Sequence, residues 1–222
     1  MALTSLEGLA LPQTWQTSLA GYQCQRQTIG RSSHQVFKLE AANKPTFFIK
    51  TGPQLEREAE CLAWLNQQEV PSARLVDFHI QDDRQWLLMG AVNGRSLAES
   101  PELVPESIIE ITADALRSLH ACPVAECPFE YALAAQTPAA TEALVVTHGD
   151  PCLPNLLADQ GRFSGFIDCG QLACADRHRD IAQGAWSIGY NLGEQWVTPF
   201  LRLYGQVDEE RLALYTRLEG LA

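Results

Sequence analysis

His148-Gly149-Asp150-Pro151-Cys152-Leu153-Pro154-Asn155, followed downstream by Ile167-Asp168-Cys169-Gly170, is the stretch on which the reading of this chain turns. It has the form H-x-D-x-x-x-x-N with a later aspartate among apolar residues. Phosphoryl transfer asks for a carboxylate that orients an attacking hydroxyl, and for hard oxygen ligands that hold Mg²⁺ against nucleotide phosphates. On this reading Asp150 takes the hydroxyl proton, and Asn155 and Asp168 are the metal ligands. Gly149 permits a tight backbone turn beside the carboxylate. A lone His-Gly-Asp would pass for an ordinary turn; the joint spacing carries the assignment.

The flanking pattern places both carboxylates at strand ends. Ala143-Leu144-Val145-Val146-Thr147 reads as a short buried strand running into the loop, and residues 163–167 as a second strand ending at Asp168. Loops at strand ends are where chemistry is usually carried.

From Val146-Thr147-His148-Gly149-Asp150 through Ala175-Asp176-Arg177-His178-Arg179-Asp180-Ile181-Ala182 the sequence resembles the aminoglycoside 3'-phosphotransferases, antibiotic-resistance kinases with a protein-kinase-like fold. The likeness extends over most of the chain. It implies an α+β, bilobal architecture: an antiparallel β-sheet lobe with one helix over 1–92, a hinge about 89–94, and a mainly helical catalytic and acceptor-binding lobe over 93–222. It also implies ATP or GTP with Mg²⁺, and a cationic aminosugar as acceptor.

The same resemblance assigns residues to the nucleotide. Lys50, at the end of Phe47-Phe48-Ile49-Lys50, stands where the family's phosphate-binding lysine lies, and Glu58 where its ion-pair partner would be. Ser32, within Gly30-Arg31-Ser32-Ser33, matches the phosphate-covering loop, Phe48 the aromatic that stacks on adenine, and the backbone of Met89 and Ala91 the hinge. Asp180 is expected to tie down the catalytic loop from below. Without the catalytic motif, Lys50 would read as a solvated strand end, Glu58 as one of three exposed glutamates with Glu56 and Glu60, and Phe48 as a core aromatic.

Hydrophobic periodicity agrees with this order of elements. Residues 36–39 and 46–50 read as strands, as do 75–80 and 86–89, with a helix over 55–65 between the pairs. Further on, Pro105 starts a helix with Ile108, Ile109, Ala115, Leu116 and Leu119 on one face. Two more helices are expected over 176–188 and 194–204, the first with Asp176 and Asp180 on one face, and Asp208 caps a last one reaching 218. His120 and His178, without a ligand pattern, read as structural.

Composition sets limits. Of 222 residues 46% are hydrophobic and 19% charged, enough for a core and against disorder. A net charge of −11 argues against a nucleic-acid or anionic-membrane partner and suits a cationic small molecule. The first basic residue is Arg26, so no secretory signal is read, and no apolar run approaches the ~20 residues of a membrane span. Seven cysteines lack both a disulfide framework and zinc-ligand spacing, as expected of a cytoplasmic enzyme that is a monomer or weak dimer.

The acceptor side departs from the resemblance. Between Cys127-Pro128-Phe129 and His148 the family inserts a helical segment with acidic contacts, and 130–147 is too short to hold it. Trp186 stands where the family has a substrate-contacting arginine. At the C-terminus only Glu219 and the carboxylate of Ala222 remain as ammonium contacts. Three functions stay open: an aminoglycoside 3'-phosphotransferase, a kinase of another small alcohol such as a sugar, choline or a macrolide, and an inactive nucleotide-binding relative.

Overall fold

Alternation along Phe47–Gly52 decides how the first part of the chain is layered. Ile49 is fully buried on one face of the strand, and Lys50 is buried on the other. The computed structural model describes residues 4–27, 34–137 and 144–221, and these divide into two compact units, 1–66 with 73–91 and 67–72 with 92–222.

The first unit is built on an antiparallel sheet in the order β1-β2-β3-β4-β6-β5. Its strands are β1 (Thr4–Ser5), β2 (Gln23–Gln27), β3 (Gln35–Glu40), β4 (Phe47–Gly52), β5 (Arg74–Gln81) and β6 (Arg84–Gly90). β3 meets β4 with Phe37 opposite Ile49, and β4 meets β6 with Ile49 opposite Leu88. These side chains join Trp15, Leu11 and Leu19 in one apolar core. Here the expectation of one helix needs correction. Besides α2 (Glu56–Leu65), a short α1 (Gln13–Ser18) packs on the sheet through Trp15, whose indole N–H donates to Asp77 Oδ2 at 2.6 Å. Six residues with one large apolar side chain give too little periodicity to be read.

The second unit is mainly helical. α3 (Pro105–His120) begins with Pro105 in its first turn, where the missing N–H costs nothing. It buries Ile108, Ile109, Leu116 and Leu119. α4 (His178–Leu192) is buried along almost its whole length, and α5 (Val197–Tyr204) and α6 (Glu209–Leu218) pack beside it. Asp208 caps α6, its carboxylate accepting from the N–H groups of Glu210 and Arg211. The expected helix over 194–204 is divided into a 3₁₀ turn, Glu194–Trp196, and α5. Asp176 precedes α4 rather than sharing a helical face with Asp180, and its carboxylate turns back onto His178 and Arg211.

Short strands then carry the loops. β7 (Arg95–Ser96) pairs with β9 (Leu156–Asp159), which pairs with β10 (Arg162–Phe166). β8 (Val145–Thr147) pairs with β11 (Ala173–Ala175), Thr147 lying opposite Ala173. The strand expected before His148 is thus present over its last three residues, while Ala143 lies outside the described residues.

Candidate active site

The loop after β8 is held from beneath by α4. Asp180 Oδ2 accepts the His148 N–H at 2.7 Å and Oδ1 accepts that of Gly149 at 2.8 Å. Gln183, one helical turn on, donates to Gly149 O at 2.6 Å, and Ser187 Oγ accepts from Leu153 N–H at 2.9 Å. Burial favours the neutral form of Asp180. Hydrogen bonding from His120 and the charges around it outweigh that and hold its carboxyl below the usual range. The expected tie at Asp180 is therefore present in the geometry; Gln183, Ser187 and His120 were not anticipated. Polar residues at 180, 183 and 187, all on one buried face of α4, are the signal that could have found Gln183 and Ser187.

His148 joins the two halves of the motif. Its Nδ1 accepts from Asp150 N–H at 3.2 Å, and its Nε2 donates to Ile167 O at 3.1 Å, which fixes a neutral tautomer. Burial lowers its pKa, against the pull of Asp180, Asp150 and Asp168. One imidazole thus bonds to the backbone of Asp150 and to that of the residue before Asp168.

Asn155 closes the loop on Asp150. Its Nδ2 donates to the Asp150 carbonyl at 2.9 Å and to Oδ2 at 3.1 Å. Cys152 lies against the same carboxylate, and burial, with that charge, pushes its thiol up, so it stays protonated. Asp168 holds φ 58° and ψ 48°, a left-handed conformation that non-glycine residues occupy at a cost, just ahead of the 3₁₀ turn Cys169–Gln171.

On the first unit, Lys50 Nζ and Glu58 Oε2 are 2.7 Å apart, both side chains more than nine-tenths buried. A buried ion pair costs about as much in desolvation as it returns in attraction, so it is weak evidence of a purely stabilising role. Phe48, two residues before Lys50 on β4, is half-buried, and Met89 is buried. The hinge reading needs correction at the donor. Ala91 N–H is given to Thr46 O at 3.1 Å, continuing the β4–β6 pairing, and Met89 lies within β6 between Phe48 and Leu75. Ser32 and Ala222 lie outside the described residues.

The acceptor candidate Glu219 is placed inward. Its carboxylate accepts from Tyr131 OH at 2.6 Å, Arg179 Nε at 3.2 Å and Gln183 Nε2 at 3.1 Å, and its side chain is 11% exposed. Trp186 and Tyr190 on α4 are instead exposed and stacked, with ring centroids 5.5 Å apart. Among the described residues no three His, Cys, Asp or Glu side chains group as a metal site, and no helix is long and apolar enough to cross a membrane.

This arrangement has close counterparts. The chain matches the phosphotransferase enzyme family over residues 26–138 and 130–215. It is 31% identical to an aminoglycoside 3'-phosphotransferase of Streptomyces fradiae, over 79% of this chain and 85% of that one. Among solved structures, an aminoglycoside-3'-phosphotransferase of type VIII superposes with a TM-score of 0.76 at 27% identity, covering 90% and 94% of the two chains. An aminoglycoside phosphotransferase APH(3'') from Streptomyces rimosus, in complex with ADP and streptomycin, does so with a TM-score of 0.71 at 25% identity, covering 91% and 92%. The kinase-like fold, the loop held by α4 and these likenesses agree: the chain belongs to the phosphotransferase enzyme family.

Proposed function

We propose that this phosphotransferase moves the γ-phosphoryl group of ATP, or GTP, to a hydroxyl of an aminoglycoside, the 3'-hydroxyl of kanamycin- or neomycin-type acceptors, and so confers resistance. The observation that carries this reading is the Asn155 carboxamide. Its nitrogen is committed to Asp150, which leaves Oδ1 as a hard acceptor for a cation. With the Asp168 carboxylate this is a donor set that fits Mg²⁺, which takes one or two protein oxygens beside phosphate and water. Asn155 Oδ1 and the Asp168 carboxylate would hold the ion, and the chemistry it would supply is positive charge against the nucleotide phosphates.

The chain's own residues then have separate tasks. Asp150 accepts the proton of the acceptor hydroxyl as its oxygen bonds to the γ-phosphorus; the bond from that phosphorus to the β-bridging oxygen breaks, and the nucleoside diphosphate leaves. Lys50, held by Glu58, pairs with nucleotide phosphates, and Phe48 offers its ring to the base. With its N–H bonded to Thr46, Ala91 would meet a base through its carbonyl. The enzyme is taken as cytoplasmic and as a monomer or weak dimer; that none of the seven cysteines is joined in a disulfide supports the compartment.

Intact-mass detection of a phosphorylated product, after incubation with Mg·ATP and kanamycin, neomycin, streptomycin or simple alcohols, tests the proposal. Asp150→Ala is expected to lower turnover by ~10²–10⁴ while nucleotide still binds. Asp168→Ala is expected to weaken Mg·ATP binding itself, and full turnover in Asp150→Ala would overturn the assignment.

One observation favours a second acceptor class. Trp186 and Tyr190 present an uncharged aromatic face, 43% and 73% exposed, where the sequence lacks the family's charged contacts. Such a face suits an acceptor with an apolar ring surface, and phosphorylation of a macrolide but not of kanamycin would select that reading.

A further inference from the structure

The peptide unit before Asp150 is gripped at both ends by α4: Asp180 takes the Gly149 N–H, and Gln183 donates to the Gly149 carbonyl. The second grip has a support of its own. Gln183 Nε2 also donates to Glu219 Oε2 at 3.1 Å, so one amide nitrogen spans the catalytic loop and the end of α6. Arg179 forms a parallel span. Its Nε meets Glu219 Oε1 at 3.2 Å, while Nη1 donates to Thr147 Oγ1 at 3.1 Å and to Gln171 O at 3.0 Å. Arg179 also lies over the Tyr131 ring, 4.5 Å from its centroid, and the Tyr131 hydroxyl donates to the same carboxylate.

We infer that Glu219 is a positioning residue for phosphoryl transfer, acting through Gln183 on Gly149 and through Arg179 on Thr147, at the end of β8, and on Gln171, in the turn after Asp168. This differs from the expectation that Glu219 receives an acceptor ammonium. A carboxylate already accepting three hydrogen bonds, with its side chain 11% exposed, is turned to the catalytic loop rather than to solvent. The physical reason for the arrangement is electrostatic. Arg179 is 4% exposed next to a loop rich in backbone dipoles, and a buried guanidinium needs a carboxylate to be held in one place. With Glu219 removed, Arg179 and Gln183 keep their donors but lose the partner that fixes their direction.

The inference rests on Asp150 as the group that receives the acceptor proton, and the test separates the two. Turnover with kanamycin, acceptor KM and acceptor-independent hydrolysis of Mg·ATP are measured for wild type, Asp150→Ala, Glu219→Ala, Glu219→Gln and Gln183→Met. Glu219→Ala is expected to lower kcat and ATP hydrolysis together, by roughly tenfold, the scale of one hydrogen bond to a charged group. The acceptor KM should stay unchanged, and Glu219→Gln, which keeps an acceptor oxygen, should recover part of the loss. In the double variant Glu219→Ala, Gln183→Met the loss should be smaller than the sum of the two single losses, because one of the two routes from Glu219 to the loop runs through Gln183. A raised acceptor KM at unchanged kcat would instead make Glu219 an acceptor contact and overturn the inference. So would additive losses, or a lowered melting temperature with normal kinetics. Full turnover in Asp150→Ala would overturn the site assignment and the inference with it; turnover lost there but kept in Glu219→Ala overturns the inference alone.

Discussion

Asp180 and Gly149, 31 residues apart in sequence, are joined by a 2.8 Å hydrogen bond in which the buried carboxylate accepts the glycine N–H. The other oxygen of the same carboxylate accepts from the His148 amide and from His120, so three donors depend on one side chain.

Replacing Asp180 by Ala therefore strands buried donors and removes the negative charge beside His120. Breaking one partner of a buried charged network costs about 3–5 kcal/mol. Denaturant unfolding of Asp180→Ala should show a loss of this order, with Asp180→Asn losing less.

Gly149→Ala is expected to harm the site directly. The residue sits at φ +88°, and a Cβ would come within 2.5 Å of Arg179 Nη2 and of Gln171 O. The left-handed backbone alone costs an alanine about 1–2 kcal/mol, and the collision displaces the peptide that leads into Asp150. Turnover should fall by more than the stability loss explains, read at a temperature where the variant is still folded.

Lys50 and Glu58 offer a way to separate function from stability. Lys50→Met alone leaves the Glu58 carboxylate without its ammonium in a buried place, and should cost about 3–5 kcal/mol. The double variant Lys50→Met, Glu58→Leu should regain most of that, since an apolar pair of similar volume can replace a buried ion pair. Activity should not return with it, and Mg·ATP titration alongside thermal melting distinguishes the two effects.

Acid should destabilise the protein in two stages. His148, buried and neutral, has its pKa lowered, so the unfolded chain gains a proton at ~6.5 that the folded one resists. Stability is present above that value and declines as pH falls below it. Asp176 is held at about 2, burial being outweighed by bonds from His178 and Arg211. Its contribution is complete above the unfolded value of ~3.9 and is lost as pH falls from there toward 2. Melting temperature against pH should show both declines, with His148→Gln removing the upper one and Asp176→Asn flattening the lower.

Much of this was legible in the sequence because it is local. β3, β4, β5 and β6 announce themselves by alternation, α3 by Pro105 and its apolar face, and α6 by the Asp208 cap, whereas β2, glutamine-rich with Cys24 buried, does not. The candidate residues around Asp150 followed from spacing within a single loop. What could not be read depends on distant partners. β7 and β11 are two and three residues long and exist only through pairing with strands far away in sequence. Ala91 N–H is taken by Thr46, 45 residues earlier by numbering, and no local pattern reveals that. Glu219 read as a free acid because its partners come from two distant places, Tyr131 and the first turns of α4 with Arg179 and Gln183.

The pairing of β8 with β11 has a further consequence. β8 delivers the chain into His148-Gly149-Asp150, and β11 follows directly after the turn that starts at Asp168, so one small ribbon sets both ends of the motif in register. A one-residue slip in this ribbon would turn every side chain of β8 to the opposite face and move His148 against Asp168, so the geometry of the motif belongs to the pairing and not to either loop alone.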